Sequence, residues 1–142
     1  VSIQSQVLNL LSKLMRERNL TMIFIAHDLA VVEHISNRVV VMYLGKVVET
    51  GSRDELYKNP LHPYSQALLD AHPVPDPTIR KERVLLEGTI PSALNPPSGC
   101  KFHTRCKKCR PICSQVEPAE RVIEGTHTVC CHLYDDGAAG RS

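Results

Sequence analysis

Residues 3–18 place Ile3, Val7, Leu10, Leu11, Leu14 and Met15 on one stripe, the 3.6-residue period of an amphipathic helix. Ser2 suits the N-cap, and Arg16, Glu17, Arg18 and Asn19 make a polar end where cations favour the helix dipole. Leu20 to Ala26 is a short apolar run that predicts a buried central strand. It stops at His27, and Asp28 can cap a following helix that carries Leu29, Val32 and Ile35. Val39 to Tyr43 predicts another strand, which Leu44-Gly45-Lys46 turns back into Val47 to Thr50 as a hairpin. Gly51 breaks that strand. Ser52 to Glu55 then has capping-box spacing, which predicts a helix ending near Asn59-Pro60.

This order of elements is that of the last part of an α/β domain. It is not a whole domain, because one buried strand with a single crossover closes no core. The pattern changes after residue 59. Eight of the ten prolines fall between residues 60 and 97. A helix fits between Pro63 and His72, where Tyr64, Leu68 and Leu69 share a face. The Pro-rich stretch after it, with Pro73, Pro75 and Pro77, reads as a semi-rigid linker. Arg83 to Gly88 suggests one more strand, and the small, polar residues after 134 suggest a disordered tail.

Composition narrows this picture. The 142 residues suffice for one modest domain or two small ones. A start at Val1, directly in a helical pattern, suggests a piece of a longer chain. With 42% hydrophobic residues, 4% aromatics and no Trp, the core is small and built from Val, Leu and Ile. A net charge of +2 is too weak to imply nucleic acid by itself. No apolar run approaches the ~20 residues of a membrane span, so membrane association is expected only through a partner.

Two sets of residues carry candidate chemistry. His27 follows an apolar strand, and the carboxyl ends of strands in open α/β sheets are where ligands bind. It is therefore a candidate phosphate sensor or proton-transfer group; the structural alternative is a histidine bonded to a nearby carbonyl. The second set is six cysteines in the last third of the chain: Cys100, Cys106, Cys109, Cys113, Cys130 and Cys131. No signal peptide is visible, so crowded cysteines read as metal ligands before disulfides. Cys106-Lys107-Lys108-Cys109 is half of a zinc site, and Cys113 with Cys131 or His132 can supply the other half. The same thiolates can hold an iron–sulfur cluster. Lys101, Arg105, Lys107, Lys108 and Arg110 surround them, and their charge is expected to favour thiolate over thiol. His103, His127 and His132 lie close enough in sequence to serve as ligands or supporting groups. His34 reads as solvated, and His62-Pro63-Tyr64 as a structural turn into a helix.

Several motifs in order resemble the C-terminal part of an ATP-binding subunit of a dipeptide, oligopeptide or nickel ABC importer. Val1 to Val7 is similar to the stretch after the D-loop, and Ile25-Ala26-His27-Asp28 to the H-loop with its switch histidine. Met42 to Glu49 resembles the hairpin that follows. Asn59-Pro60-Leu61-His62-Pro63-Tyr64-Ser65-Gln66-Ala67-Leu68-Leu69 and Pro91 to Cys100 resemble the extension of these importers. The resemblance implies an α/β fold: a partial ABC-type ATPase domain at 1–59, a Pro-rich helix and linker at 60–97, and a small, irregular, Cys-rich module at 98–133. A tail at 134–142 completes the chain. It also implies that His27 contacts the ATP γ-phosphate in the intact subunit, and that Ser2 and Ile3 lie near a paired subunit's site. The family's C-x5-C-x6-C pattern and its later Cys-His-Leu map onto Cys100, Cys106, Cys113 and Cys131. These are thereby implied as ligands of a structural [4Fe–4S] cluster, with zinc as the alternative. Cys109 and Cys130 depart from the pattern.

The implied cofactors are ATP and Mg in the parent subunit. The implied partners are a second ATPase subunit, the transmembrane permease subunits and, indirectly, an extracellular substrate-binding protein, with no nucleic acid. The implied place is the cytoplasmic face of the cell membrane. No G-x-x-x-x-G-K-[ST] phosphate loop, signature motif or Mg-binding acid stands in this sequence, so these residues alone are expected neither to bind ATP tightly nor to hydrolyse it. Two readings from other classes compete. One is a zinc-binding nucleic-acid module built on the basic run at 101–110, in which Phe102 is the one aromatic for stacking. The other is a redox or iron-handling protein.

Overall fold

The computed structural model describes residues 2–72, 78 and 86–135. The chain forms two units, Val1–Asn37 and Arg38–Ser142.

In the first unit, α1 (Ile3–Arg18) starts as expected, with Ser2 Oγ accepting the Ser5 N–H at 3.2 Å. It ends at Asn19, whose left-handed backbone sends its N–H to the Met15 carbonyl, a common helix stop. None of its residues is buried: Ile3, Val7 and Leu10 of its stripe are exposed, and Leu11, Leu14 and Met15 are half-buried. The Leu20–Ala26 run is not a strand: Ile23 is 92% and Ile25 100% exposed. A strand exists through its neighbour's hydrogen bonds, and among the described residues none pairs with this segment. His27 therefore lies exposed on a bend rather than at the end of a buried strand. Asp28 caps α2 (Leu29–Ile35), its Oδ1 accepting from Ala30 N at 2.9 Å and Val31 N at 3.4 Å.

The second unit is built on a four-stranded antiparallel sheet of order β1-β2-β4-β3. The predicted hairpin forms β1 (Arg38–Tyr43) and β2 (Lys46–Ser52). Leu44 and Gly45, with φ of 46° and 78°, make the two-residue turn whose twist matches its strands. Val41 pairs Glu49 while Met42 pairs Val47, so Val48 is an extra residue on β2, and both Val48 and Glu49 are buried. Ser52 caps α3 (Arg53–Lys58) with the expected capping box, and Pro63 opens α4 (Pro63–Ala71).

The other half of the sheet comes from the C-terminal module, which is less irregular than its sequence suggests. β3 (Glu120–Glu124) and β4 (His127–Cys130) form a hairpin, and β4 docks on β2 through Glu49↔Val129 and Thr50↔Thr128. The rest of the module is short 3-10 turns at His103–Arg105, Pro111–Ser114 and His132–Tyr134. The linker at 73–77 lies outside the described residues. So do Arg83 to Leu85 of the suggested strand and residues 136–142 of the tail.

The few aromatics concentrate in one place. Phe102, 1% exposed, packs with Tyr43 and Val48, and its ring centroid lies 5.2 Å from Tyr43 and 5.3 Å from Tyr64. Cys100 and Cys106 pack against this cluster, whereas Cys131 belongs to a second one with Leu61 and Val129. Among the described residues no helix is long and apolar enough to cross a membrane.

Candidate functional site

The cysteine region is anchored by a buried carboxylate. Glu49 is 1% exposed, and its side chain accepts the Leu61 and His62 N–H groups, each at 2.9 Å, just before α4. The same carboxylate meets His127 Nε2 at 2.6 Å. One charged residue of β2 thereby ties the entry of α4 to β4. Tyr134 adds a second tie, its hydroxyl donating to the Leu61 carbonyl at 2.7 Å.

Beside this anchor, Cys100, Cys106, Cys113 and Cys131 line one small cavity together with His62 and Phe102. The four arrive on three separate pieces of chain. Gly99 makes their convergence possible: with φ of +65°, it lies where an added Cβ would stand 2.3 Å from the Cys113 carbonyl oxygen. That close approach lets Cys100 N donate to Cys113 O at 2.7 Å. The Ser98 hydroxyl closes the same junction by donating to Ser114 O at 2.7 Å. Cys106 follows the His103–Arg105 turn, Cys113 sits within the Pro111–Ser114 turn, and Cys131 leads out of β4.

All six cysteines are free thiols. Burial is the main reason that Cys100, Cys106 and Cys131 are pushed up, Cys131 to about 12, and the neighbouring sulfurs push the same way. The basic residues do not reverse this, contrary to the expectation from their number. Lys101 Nζ donates to Pro97 O, Arg105 Nε to Glu87 O and Arg110 Nη1 to His132 O, while Lys107 pairs with Glu87. Desolvation outweighs their partly committed charge at Cys100, Cys106 and Cys131 and favours the thiol there. Cys109 is exposed, and Cys130 is half-buried on β4 with Glu117 and Glu120 as its charged neighbours.

Among the described residues no group of three or more His, Cys, Asp or Glu is gathered tightly enough to hold a single metal ion. Zinc at about 2.3 Å from each sulfur needs such a group. Four thiols around one cavity on three segments match the donor set of a four-iron cluster in kind and number.

Two of the histidines near the cysteines, His127 and His132, are committed to other partners. His127 is committed to Glu49, and His132 directs its two ring nitrogens to Asp135 Oδ2 at 2.6 Å and Val116 O at 2.7 Å. His103 Nδ1 bonds the Cys100 carbonyl at 2.8 Å. His62 is different. Its Nδ1 accepts the Tyr64 N–H at 3.0 Å and caps α4, while its Nε2 is buried with no hydrogen-bond partner among the described residues. Burial pushes this ring down to about 4, so it is neutral at pH 7. A buried unpaired donor costs about 1–3 kcal/mol. Glu49 and His62 both stand inside motifs that carry the resemblance, but the motifs alone give neither residue a place beside the cysteines. The available signals are a lone carboxylate inside the Val47–Thr50 run and a histidine directly before a helix-opening proline.

Comparison with known proteins gives these residues a setting. Residues 48–113 match the oligopeptide/dipeptide transporter, C-terminal region. That span runs from β2 through α4 to the third cavity cysteine, and so includes Glu49, His62, Cys100, Cys106 and Cys113. Over 139 residues the chain is 58% identical to the oligopeptide transport ATP-binding protein OppF of Escherichia coli K12, covering 95% of this chain and 41% of that protein. It is 54% identical over 136 residues to AppF of Bacillus subtilis 168, an oligopeptide transport ATP-binding protein, covering 94% and 41%. A probable peptide ABC transporter ATP-binding protein of Sinorhizobium fredii is 51% identical over 143 residues, covering 98% and 39%. The resemblance read from the motifs therefore holds along most of the chain, which spans about two fifths of the length of these relatives.

Proposed function

We propose that the chain is the C-terminal part of the ATP-binding subunit of a peptide importer, in which ATP hydrolysis drives oligopeptides or dipeptides across the cytoplasmic membrane. The observation that carries this reading is the 58% identity over 139 residues to an oligopeptide transport ATP-binding protein. The subunit works at the cytoplasmic face, paired with a second ATPase subunit and docked on permease subunits that receive peptide from a binding protein. ATP and Mg are the cofactors of the whole subunit.

Within it, His27 is the switch histidine. A neutral imidazole donates one hydrogen bond and accepts another, which suits bridging the γ-phosphate and the attacking water. Its exposure on a bend leaves the ring free for that task. The open faces of α1 and of Ile23 and Ile25 are the surfaces that the rest of the ATPase core covers. The test is His27→Ala in the full-length subunit assembled with its partners. ATP hydrolysis and peptide uptake are expected to be lost with assembly intact; uptake at the wild-type rate overturns the assignment.

In the extension, Cys100, Cys106, Cys113 and Cys131 hold a [4Fe–4S] cluster. When bound, the cluster supplies a covalent staple between three chain segments. Gly99 and the Cys100–Cys113 hydrogen bond bring two of those segments together, and Glu49 fixes the entry of α4 at the cavity wall. The role is structural. Iron and acid-labile sulfide in anaerobically purified full-length protein support it, whereas stoichiometric zinc without iron overturns it. The nucleic-acid reading loses its footing at Phe102, which is 1% exposed and so presents no face on which a base can stack.

A further inference from the structure

His62 has one nitrogen spoken for and one in question. Because Nδ1 accepts the Tyr64 N–H, the ring proton of the neutral imidazole sits on Nε2. That N–H is buried, has no hydrogen-bond partner among the described residues, and belongs to a ring lining the cavity of Cys100, Cys106, Cys113 and Cys131. Phe102, with its centroid 5.7 Å from the His62 ring at 57°, offers only a weak π acceptor. A metal ligand needs a lone pair at the coordinating atom, and Nε2 carries a proton instead. The group this nitrogen suits is an acceptor held inside the cavity.

We infer that His62 Nε2–H donates a hydrogen bond to a sulfur of the centre held by the four cavity cysteines, which makes His62 a positioning residue of that centre and not a ligand. The inference rests on the iron–sulfur reading of the cavity and extends it. A sulfur bound to iron is a hydrogen-bond acceptor, and it accepts more strongly as the centre gains an electron. A donor at this place therefore stabilises the reduced form and raises the reduction potential. The same residue also holds the N-terminus of α4, so the cap and the centre are coupled through one ring.

His62→Asn separates the two roles. Asparagine at an N-cap still accepts from the backbone two residues on, which is the Tyr64 N–H, but its shorter side chain carries no donor at the Nε2 position. The experiment uses full-length protein purified anaerobically, with iron and sulfide counted and the potential measured by spectroscopic titration. The expected result is wild-type iron and sulfide content in His62→Asn with a more negative potential. A wild-type centre whose potential is unchanged in His62→Asn overturns the inference alone. Wild-type protein without iron and sulfide overturns the cofactor reading and this inference with it. Should His62→Asn fail to fold, pulsed electron paramagnetic resonance of reduced wild-type protein carrying 15N-histidine decides. A weak histidine nitrogen coupling supports the hydrogen bond, and its absence overturns it.

Discussion

Glu49 and His127 stand 78 residues apart in the chain and meet at 2.6 Å, both buried, where β2 and β4 lie side by side. The carboxylate also carries the Leu61 and His62 amides, so it organises three parts of the second unit at once. Removing one partner of such a buried arrangement leaves the others desolvated and unpaired. Glu49→Ala is expected to cost about 3–5 kcal/mol of stability. Glu49→Gln is expected to cost less, since the amide oxygen still accepts one bond. Denaturant unfolding of the full-length proteins measures both, and an Ala variant within about 0.5 kcal/mol of wild type contradicts the role of this residue.

Glu55 makes a pH prediction. It accepts the Ser52 N–H at 2.8 Å and the Thr126 hydroxyl at 2.8 Å. These bonds, the Ser52 backbone first, hold its carboxyl down at about 2 from an ordinary 4.5. A carboxyl lowered by folding contributes stability that is fully present above its unfolded value and fades as the acid form takes over. The stability gap between wild type and Glu55→Gln is therefore expected to be constant above pH 5 and to close between about 4.5 and 2. A gap that persists unchanged down to pH 2 contradicts this.

Gly99 sets a steric limit on the cavity. Any Cβ there meets the Cys113 carbonyl at 2.3 Å in a backbone conformation that side chains disfavour. Gly99→Ala is expected to destabilise by more than ~1 kcal/mol and to part the Cys100 and Cys113 segments. Alkylation of the buried Cys113, followed by mass spectrometry, reads the second effect without reference to any cofactor. Labelling as slow as in wild type would show that the junction absorbs the extra carbon.

What the sequence makes legible is local chemistry. Ser2, Asp28 and Ser52 announce three helix starts, and each makes the side-chain cap that its type allows. The β1–β2 hairpin follows from two β-branched runs around a glycine turn. The Leu20–Ala26 run fails for the opposite reason, since apolar composition supplies a strand's side chains but not its neighbours. The β3–β4 hairpin is hidden because cysteine spacing dominates that region, although Gly125 with φ of +52° sits between its strands. Cys100, Cys106, Cys113 and Cys131 line one cavity, a grouping that depends on long-range contacts and not on spacing alone. The number of basic residues is a poor guide to their effect, because Arg105, Lys107 and Arg110 are engaged by Glu87 and by the His132 carbonyl, partners 18 or more positions away. Glu49 is a residue that no local rule selects, as all its partners lie 12 or more positions away.

The six cysteines divide by position, and that division predicts their behaviour. Four share the cavity; Cys109 is exposed, and Cys130 lies on β4 outside the cavity lining. If the four thiols are the ligands of one centre, replacing any of them removes one of its four bonds to the chain. Cys100→Ser, Cys106→Ser, Cys113→Ser and Cys131→Ser are each expected to lose most of the iron and sulfide of the full-length protein. Cys109→Ser and Cys130→Ser are expected to retain it. Cys109 is the more stringent control, because it lies close enough to Cys113 for the two side chains to interact and could substitute for it. Iron retained in Cys113→Ser but lost in the Cys109/Cys113 double variant would assign that substitution to Cys109. Iron lost on replacing Cys109 alone would move the ligand set from the x6 spacing to the CxxC.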